Sequence, residues 1–385
     1  MKSVLISGAG VAGCALAALL ARRGFAPTVV ERAPGLRGGG QAVDVRGVAL
    51  EVVGRLGVLE AVREHRTRMR GMSVLDGDGK EVHRSTESSF SAGRLDSGDV
   101  ELLRDDLVRV LHARAAADGA EFLFGDSLTA LDESSGRPGH PGGGVLAGFG
   151  HAAERRFDLV VGADGLHSAV RRLAFGPEEE FATHLGLHLA VFGADNFLGL
   201  EDWQVWMRDG EFGLGAYPVR GNTELRVAVG FGGEPLPDGR RGAEARRALV
   251  ADRMRADLRW ERERLLDALD RAEDLYCDAM TQIHLEHWSR GRTVLLGDAG
   301  YCASPMSGQG TSLALVGAHV LADALASCGG DHRAAFAAYE ERLRPFVRLN
   351  QALATENQGG PASEESVERA KNAIDLDVPA GRAAV

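Results

Sequence analysis

Cysteine is scarce: 385 residues carry four, at 14, 277, 302 and 328, and no two of them form a CxxC pair. With that spacing, a reduced cytoplasmic protein is the simple expectation. Cys14 falls on the inner face of a helix, where it serves as a small apolar residue. An excess of positive charge is also missing. The formal net charge is −11 and the pI is near 5.6, which argues against nucleic-acid partners, since those need a basic face. A small local basic pocket stays compatible with that balance. No uninterrupted apolar run reaches the roughly 18 residues of a transmembrane helix, so no membrane span is expected. The N-terminal lysine and apolar stretch superficially resemble a signal peptide, but the glycines at 8, 10 and 13 and the strand pattern explain it better. Two histidine pairs, His184/His188 and His284/His287, have spacings that can bind metal on a helix. Both sit in strand-like context without a third ligand, so no metal is expected.

The sequence does have apolar content and glycine in a telling arrangement. Hydrophobic residues make up 44% of the chain, enough for two domains or one large α/β domain with an insertion. Val4-Leu5-Ile6 forms a buried strand and is followed at once by Gly8-Ala9-Gly10-Val11-Ala12-Gly13. A helical run from Cys14 to Arg23 and a second apolar run, Thr28-Val29-Val30, end at Glu31. This is the strand, glycine turn, helix and parallel strand of a dinucleotide site. Gly8 permits the tight turn, Gly10 lets the backbone approach a pyrophosphate, and Gly13 lets the helix pack closely. The phosphates would sit at the positive end of the helix dipole. Glu31 would accept hydrogen bonds from the ribose hydroxyls. The motif alone does not separate NAD from FAD.

Further along, Arg37-Gly38-Gly39-Gly40-Gln41 is a flexible or closely packed loop, and Val43 to Arg46 leads into a helix from Val48. Met72–Leu75 and Glu81–Arg84 make a hairpin about Asp76-Gly77-Asp78-Gly79. Residues 85–98 are polar and expected to loop. Val100 to Ala117 has helical periodicity. Arg104 near its start opposes the dipole, so helix physics leaves two readings, a partner such as a phosphate or an ordinary surface arginine. Residues 134–144 are rich in glycine and proline and mark a turn or loop. A second motif, Gly162-Ala163-Asp164-Gly165, closes a buried strand, where an acidic residue lies at the ligand-binding edge of a parallel sheet. From 177 to about 280 the pattern becomes antiparallel strands, with a charged helical region at 242–268 and three of the four tryptophans. A third strand ends in Gly297-Asp298. Pro305, Gly308 and Gly310 then lead into a long apolar helix from Thr311, whose N-terminal amides point into that loop. Another helix runs from Ala335 to Leu353. Beyond Gln358 the chain is polar, and its last ten or so residues are expected to be poorly ordered.

Together, GAGVAG with Glu31-Arg32, GADGLHSAVR at 162–171 and GDAGYCASPMSGQGTS at 297–312 resemble the class A FAD-dependent aromatic monooxygenases. That family includes 4-hydroxybenzoate hydroxylase, salicylate hydroxylase and the tetracycline-inactivating monooxygenase. The likeness covers nearly the whole chain, with the three motifs in order and at the right spacing. It implies an α/β fold: a Rossmann-like FAD-binding domain with an inserted antiparallel-sheet substrate domain and C-terminal helices. The expected boundaries are 1–70, 100–176 and 281–356 for the FAD-binding domain, the last with its C-terminal helix. Residues 71–99 and 177–280 form the substrate domain, and 357–385 a tail.

The resemblance also implies roles. Gly8, Gly10, Val11, Ala12 and Gly13 would cradle the diphosphate, Glu31 would hold the adenosine ribose, and Arg32 would lie near the adenine. Arg104 would contact the diphosphate side, and Asp298 the ribityl chain or diphosphate. Asp164 and Gly165 are associated with FAD and NAD(P)H. Arg37, Asp44 and Arg46 lie where the family places residues near the flavin or the reductant, and Pro305, Gly308 and Gly310 would pass beside the flavin ring. The family often has an asparagine after the last glycine of this loop. Thr311-Ser312 stand here instead, which preserves backbone contacts but not that side-chain contact. The implied activity is hydroxylation of an aromatic or polycyclic small molecule, using NADPH or NADH and O2 through a flavin C4a-hydroperoxide, by a monomer or homodimer. Natural-product tailoring or antibiotic inactivation would fit. No catalytic acid or base stands out, because the cofactor carries the chemistry. A halogenase is disfavoured, since Trp203-Gln204-Val205-Trp206 lacks the WxWxIP pattern. A two-Rossmann Baeyer–Villiger enzyme is disfavoured by the absence of a second GxGxxG. Another flavoenzyme on this scaffold, such as a reductase, and a non-catalytic flavin-binding protein remain the alternatives. Oxygen dependence and substrate-stimulated NAD(P)H oxidation separate them.

Overall fold

The computed structural model describes residues 2–89, 93–133, 143–235, 242–357 and 361–378. The loop expected at 134–144 lies outside these residues apart from its last two glycines, and so do 379–385 of the expected disordered end. Six strands form the first sheet in the order Ser289–Arg290, Thr293–Leu295, Leu159–Gly162, Ser3–Ser7, Ala26–Glu31 and Glu121–Phe124. All neighbours are parallel except the short first pair. The interior residues of the four central strands are mostly apolar and sealed from solvent, as expected of a parallel sheet covered on both faces. The three strands that carry the sequence motifs are consecutive in this order. Their C-terminal ends therefore open side by side at one edge.

The helix Val11–Arg22 is buried continuously from Ala12 to Leu20. Its alanines, glycine and cysteine let two other helices, Gly310–Ser327 and Arg104–Ala117, approach closely. Gly310–Ser327 is apolar and long enough to cross a membrane on composition alone, but 72% of it is buried within the protein, so it is a core helix.

A seven-stranded sheet forms the second layer: Tyr276–Ile283, Ala182–Asp195, Glu224–Gly232, Phe212–Val219, Gln204–Asp209, Met72–Leu75 and Glu81–Ser85. It is mixed rather than purely antiparallel, because Gln204–Asp209 pairs in parallel with Met72–Leu75. That strand arrives from a distant part of the chain, so no hairpin dictates its direction. One face of this sheet packs its own core, Phe192, Leu214, Val227 and Phe231, against Val250, Met254, Leu265 and Leu269.

Several local expectations are revised. Val100–Leu103 is a strand paired with Ala42–Val45, and the helix starts only at Arg104. All four residues of Val100–Leu103 are buried, and pairing with a distant strand overrides their helical periodicity. The region 242–268 is two helices, Ala243–Asp257 and Arg262–Arg271, separated where Glu261 takes a left-handed φ of 50°. Residues 85–98 include a short ladder of Ser88–Ser89 with Gly93–Arg94. The C-terminal stretch holds a helix, Glu364–Lys371, capped by the Ser363 hydroxyl. Leu376, which falls among the residues expected to be disordered, is only 5% exposed.

Candidate functional site

The three motif turns meet at the open edge of the parallel sheet. Gly8 takes φ +104°, and a side chain there would stand 2.5 Å from the Ala163 carbonyl oxygen of the second motif. A Cβ on Gly13 would stand 1.9 Å from the Gly8 carbonyl oxygen. Gly10 differs: its backbone is extended, and no protein atom lies within 4 Å of where its Cβ would be. Gly8 and Gly13 are therefore required by the fold, whereas Gly10 faces open space at the start of a helix. Gly297, at φ +65°, faces the Ala12 methyl at 3.3 Å, which sets the third motif against the same helix start. Val11 is half-buried there and Ala12 buried.

A groove runs from this point along Ala9, Gly10, Glu31, Gly35, Arg37 and Arg104. The Glu31 carboxylate is held in place by the N–H groups of Ala9 and Ala33, each donating at 3.0 Å. Arg32 and Arg37 are exposed. Arg104 is the first residue of its helix, and its Nε is buried without a hydrogen-bond partner. Burial and the neighbouring Arg37 guanidinium both pull the Arg104 pKa below its ordinary value. Two guanidinium groups pressed together beside a helix N-terminus make a site for an anion.

Asp298 is exposed to solvent. Desolvation raises its pKa, opposed by a hydrogen bond from Cys302 and by the charge of Arg104. Tyr276, from the second sheet, shares this surrounding. Burial pushes its phenol up, and Asp298 and Arg104 are among the charges it senses. No sequence pattern marked Tyr276, because a lone aromatic at the start of a strand carries no signal.

Asp44 and Arg46 lie further along. Arg46 Nη2 donates to Asp44 Oδ2 at 2.7 Å, yet desolvation dominates and pushes the Asp44 carboxyl up to about 7, with Glu101 and Asp99 adding to the rise. Its other oxygen is buried with no hydrogen-bond partner. A Cβ on Gly308 would stand 3.8 Å from Arg46, so the glycine loop borders this pair. Pro305 and Gly308 are exposed and Gly310 is half-buried. Between the two glycines, Gln309 is fully buried with neither amide atom hydrogen-bonded. Its place in the loop was the only hint of it in the sequence.

The structure engages Asp164 elsewhere. Its carboxylate accepts from Ser168 Oγ and from the N–H groups of Ala169 at 2.9 Å and Val170 at 3.2 Å. Ser7 Oγ adds a bond at 3.3 Å. That carboxylate is consumed by the turn and the helix it starts. Gly165, at φ +81°, has no neighbour within 4 Å of a Cβ position.

His167, in the same turn, ties the two sheets together. Its Nε2 meets Asp278 Oδ2 of the second sheet at 2.7 Å, and its Nδ1 meets Glu178 at 2.9 Å. Hydrogen bonds to Asp278 and then Glu178 raise its pKa to about 9. A raised imidazole pKa contributes stability that is fully present below the unfolded value near 6.5 and is lost as pH rises through about 9. His167→Gln should therefore destabilise the protein by about 1–2 kcal/mol at pH 6.5, a figure discounted for the exposed part of the ring. The penalty should shrink by pH 10. Thermal unfolding across this range is the check, and a penalty independent of pH would refute the ionic link.

Comparison with known proteins places the whole chain. Residues 1–353 match the FAD binding domain family. An uncharacterized protein of Mycobacterium tuberculosis strain H37Rv is 48% identical over 378 residues, covering 98% of this chain and 99% of that protein. A flavin-dependent monooxygenase of Legionella longbeachae is 36% identical, covering 90% of this chain and 86% of its own length. Among solved structures, the tetracycline destructase Tet(51) superimposes with a TM-score of 0.86 at 30% identity, covering 98% of this chain and 99% of the other.

Proposed function

The chain belongs to the FAD binding domain family of flavin-dependent monooxygenases, and from that premise we propose which residues hold the cofactor and what the enzyme acts on. It is an FAD-dependent monooxygenase of aromatic or polycyclic small molecules, with NAD(P)H as reductant. The residues present fit the cofactor. The groove offers a fixed carboxylate at the adenosine end, a bare glycine at a helix start, a buried guanidinium with an unmet donor and an open carboxylate beyond it. Bound FAD supplies the redox chemistry and the activation of O2.

In this reading the Gly10–Gly13 backbone and Arg104 bind the diphosphate, with Arg37 adding charge at the groove mouth. Val11 and Ala12 contribute backbone at the helix start. Glu31 orients the ribose, Arg32 lies over the adenine, and Asp298 fixes the ribityl end. Asp164 shapes the turn from behind, and Gly165 leaves the backbone clear. Asp44, held by Arg46, takes a proton near neutral pH in a dry recess beside the loop of Pro305, Gly308 and Gly310. A protonated carboxyl there can donate a hydrogen bond to a neutral acceptor, which an ionised one cannot.

The observation that carries the substrate proposal is whole-chain similarity to a tetracycline destructase. We propose a polycyclic, phenolic or enolic substrate of that size. Two tryptophans beside the second sheet are engaged by the protein itself: Trp203 bonds Ser73 at 2.9 Å under Arg84, and Trp260 packs against Gly79. The purified enzyme should be yellow and release its flavin into the supernatant on acid precipitation. It should consume NAD(P)H and O2 faster with tetracyclines or related polycyclic phenols, yielding a product heavier by one oxygen. NAD(P)H oxidation indifferent to oxygen would favour a reductase; indifference to the whole panel would remove the substrate class.

Asp298→Ala should weaken FAD binding roughly tenfold or more, the effect of losing a charged hydrogen bond in a mostly buried site. Fluorescence titration of apoprotein measures it. An unchanged dissociation constant would take Asp298 out of the site.

A further inference from the structure

A second hollow lies away from the nucleotide groove, at the edge of the seven-stranded sheet where the helix Ala243–Asp257 passes over it. It opens to solvent on one side and is lined by His167, His184, His188, Arg246 and Asp278 among others. His188 lines it at 2% exposure, with its ring stacked on Phe231 at 5.1 Å. Neither ring nitrogen has a hydrogen-bond partner among the described residues. A neutral imidazole carries one N–H and one bare nitrogen. In either tautomer, a donor and an acceptor are buried unmet, which is costly unless something enters to meet them.

Among the described residues that line the hollow, cationic side chains outnumber carboxylates. Its one lining carboxylate, Asp278, is held by His167 and by the Ala279 N–H at 3.0 Å. Within that network the cations His167 and Arg171 balance the anions Glu178 and Asp278. Arg246, half-buried on the helix, lines the same hollow; its side chain makes no hydrogen bond or ion pair among the described residues, and its charge acts on Asp278 across the hollow. His184 is fixed by Thr281 Oγ1 at 2.9 Å through Nδ1, which turns its Nε2 away from that bond. Among the described residues, no group of three or more ligating side chains is arranged to hold a metal ion.

We propose that this hollow binds a phosphate group between Arg246 and His188. Phosphate oxygens accept from the Arg246 guanidinium and from one imidazole N–H of His188. The phosphate can come from free inorganic phosphate or from a phosphate monoester such as the 2′-phosphate of NADPH.

Titration calorimetry of the FAD-loaded enzyme with inorganic phosphate, in a phosphate-free buffer, tests the proposal. One saturable site is expected, weakened roughly tenfold or more in Arg246→Gln and retained in Arg37→Gln. In wild-type enzyme carrying 15N-labelled histidine, the His188 ring signals should shift on addition of phosphate, which needs no variant to fold. Steady-state assays separate the sources. Phosphate raising the KM for NADPH but not for NADH, with the effect lost in Arg246→Gln, assigns the site to the reductant; no difference between the two assigns it to free phosphate. A flat titration, unshifted His188 signals, or equal affinity in Arg246→Gln overturns the site.

Discussion

Gly10→Ala and Gly13→Ala are expected to fail in different ways, although each adds one methyl group to the same turn. At position 13 the methyl would stand 1.9 Å from the Gly8 carbonyl oxygen. That atom belongs to backbone whose own N–H is bonded to the Val30 carbonyl at 2.8 Å, so it has nowhere to go. The helix Val11–Arg22 must shift, and it is packed against two other helices along its length. Overpacking of this kind costs roughly 3 kcal/mol or more, with a fall in thermal midpoint of about 5 °C or more in the apoprotein as well as the holoenzyme. Position 10 has an extended backbone that alanine adopts freely, and no protein atom within 4 Å of the new methyl. The apoprotein should unfold at the wild-type temperature. FAD affinity should nevertheless fall roughly tenfold or more, because the methyl stands where the diphosphate must approach the amides. Calorimetric unfolding of both apoproteins and FAD titration separate the two effects. A Gly10→Ala enzyme that holds FAD as tightly as wild type would show that this groove is not the diphosphate site.

The contrast also shows what was legible in the sequence. The strand–turn–helix–strand unit at the N-terminus was plain, because its glycines, apolar runs and closing acid are all local. That the three motif strands lie side by side is a finding of the structure, not of their separate endings. What local pattern does not encode is pairing across the chain. Val100–Leu103 continues the apolar spacing of the helix behind it, and only its ladder to Ala42–Val45 makes it a strand. The helix Glu364–Lys371 sits in a polar stretch that composition alone marks as tail. It is held because Lys371 reaches Asp99 at 2.9 Å and its carbonyl packs where a Gly47 side chain would be. Side-chain satisfaction was equally hidden. Asp164 occupies the position of a ligand-facing acid, but its oxygens are taken by neighbours four to six residues ahead. His167 carries no signal of its own in that motif, and its two acidic partners lie on other elements.

Gly310→Val should slow flavin reduction roughly tenfold or more while leaving the protein's own packing intact. The hydrogen-bond ladder of the helix Gly310–Ser327 begins with the Leu313 N–H donating to the Gln309 carbonyl. The N–H groups of Gly310, Thr311 and Ser312 therefore precede it and face out of the helix start. In the proposed site they point toward the pyrimidine side of the flavin, where reduction leaves negative charge. Helix-end donors and the dipole both favour an anion there. No protein atom lies within 4 Å of a Gly310 Cβ, so a valine side chain displaces only what binds beside the loop. The adenosine end would stay anchored by the turn from Gly8 to Gly13 and by Glu31. The expected variant keeps FAD with weaker affinity and has a lower flavin reduction potential. It reduces slowly with NAD(P)H and releases more hydrogen peroxide per NAD(P)H consumed, because the displaced ring no longer meets substrate in a dry site. Stopped-flow absorbance and a peroxide assay read the two effects separately. If the variant is reduced at the wild-type rate and couples oxygen to product equally well, the loop from Pro305 to Gly310 does not border the flavin, and the ring must lie elsewhere in the cleft.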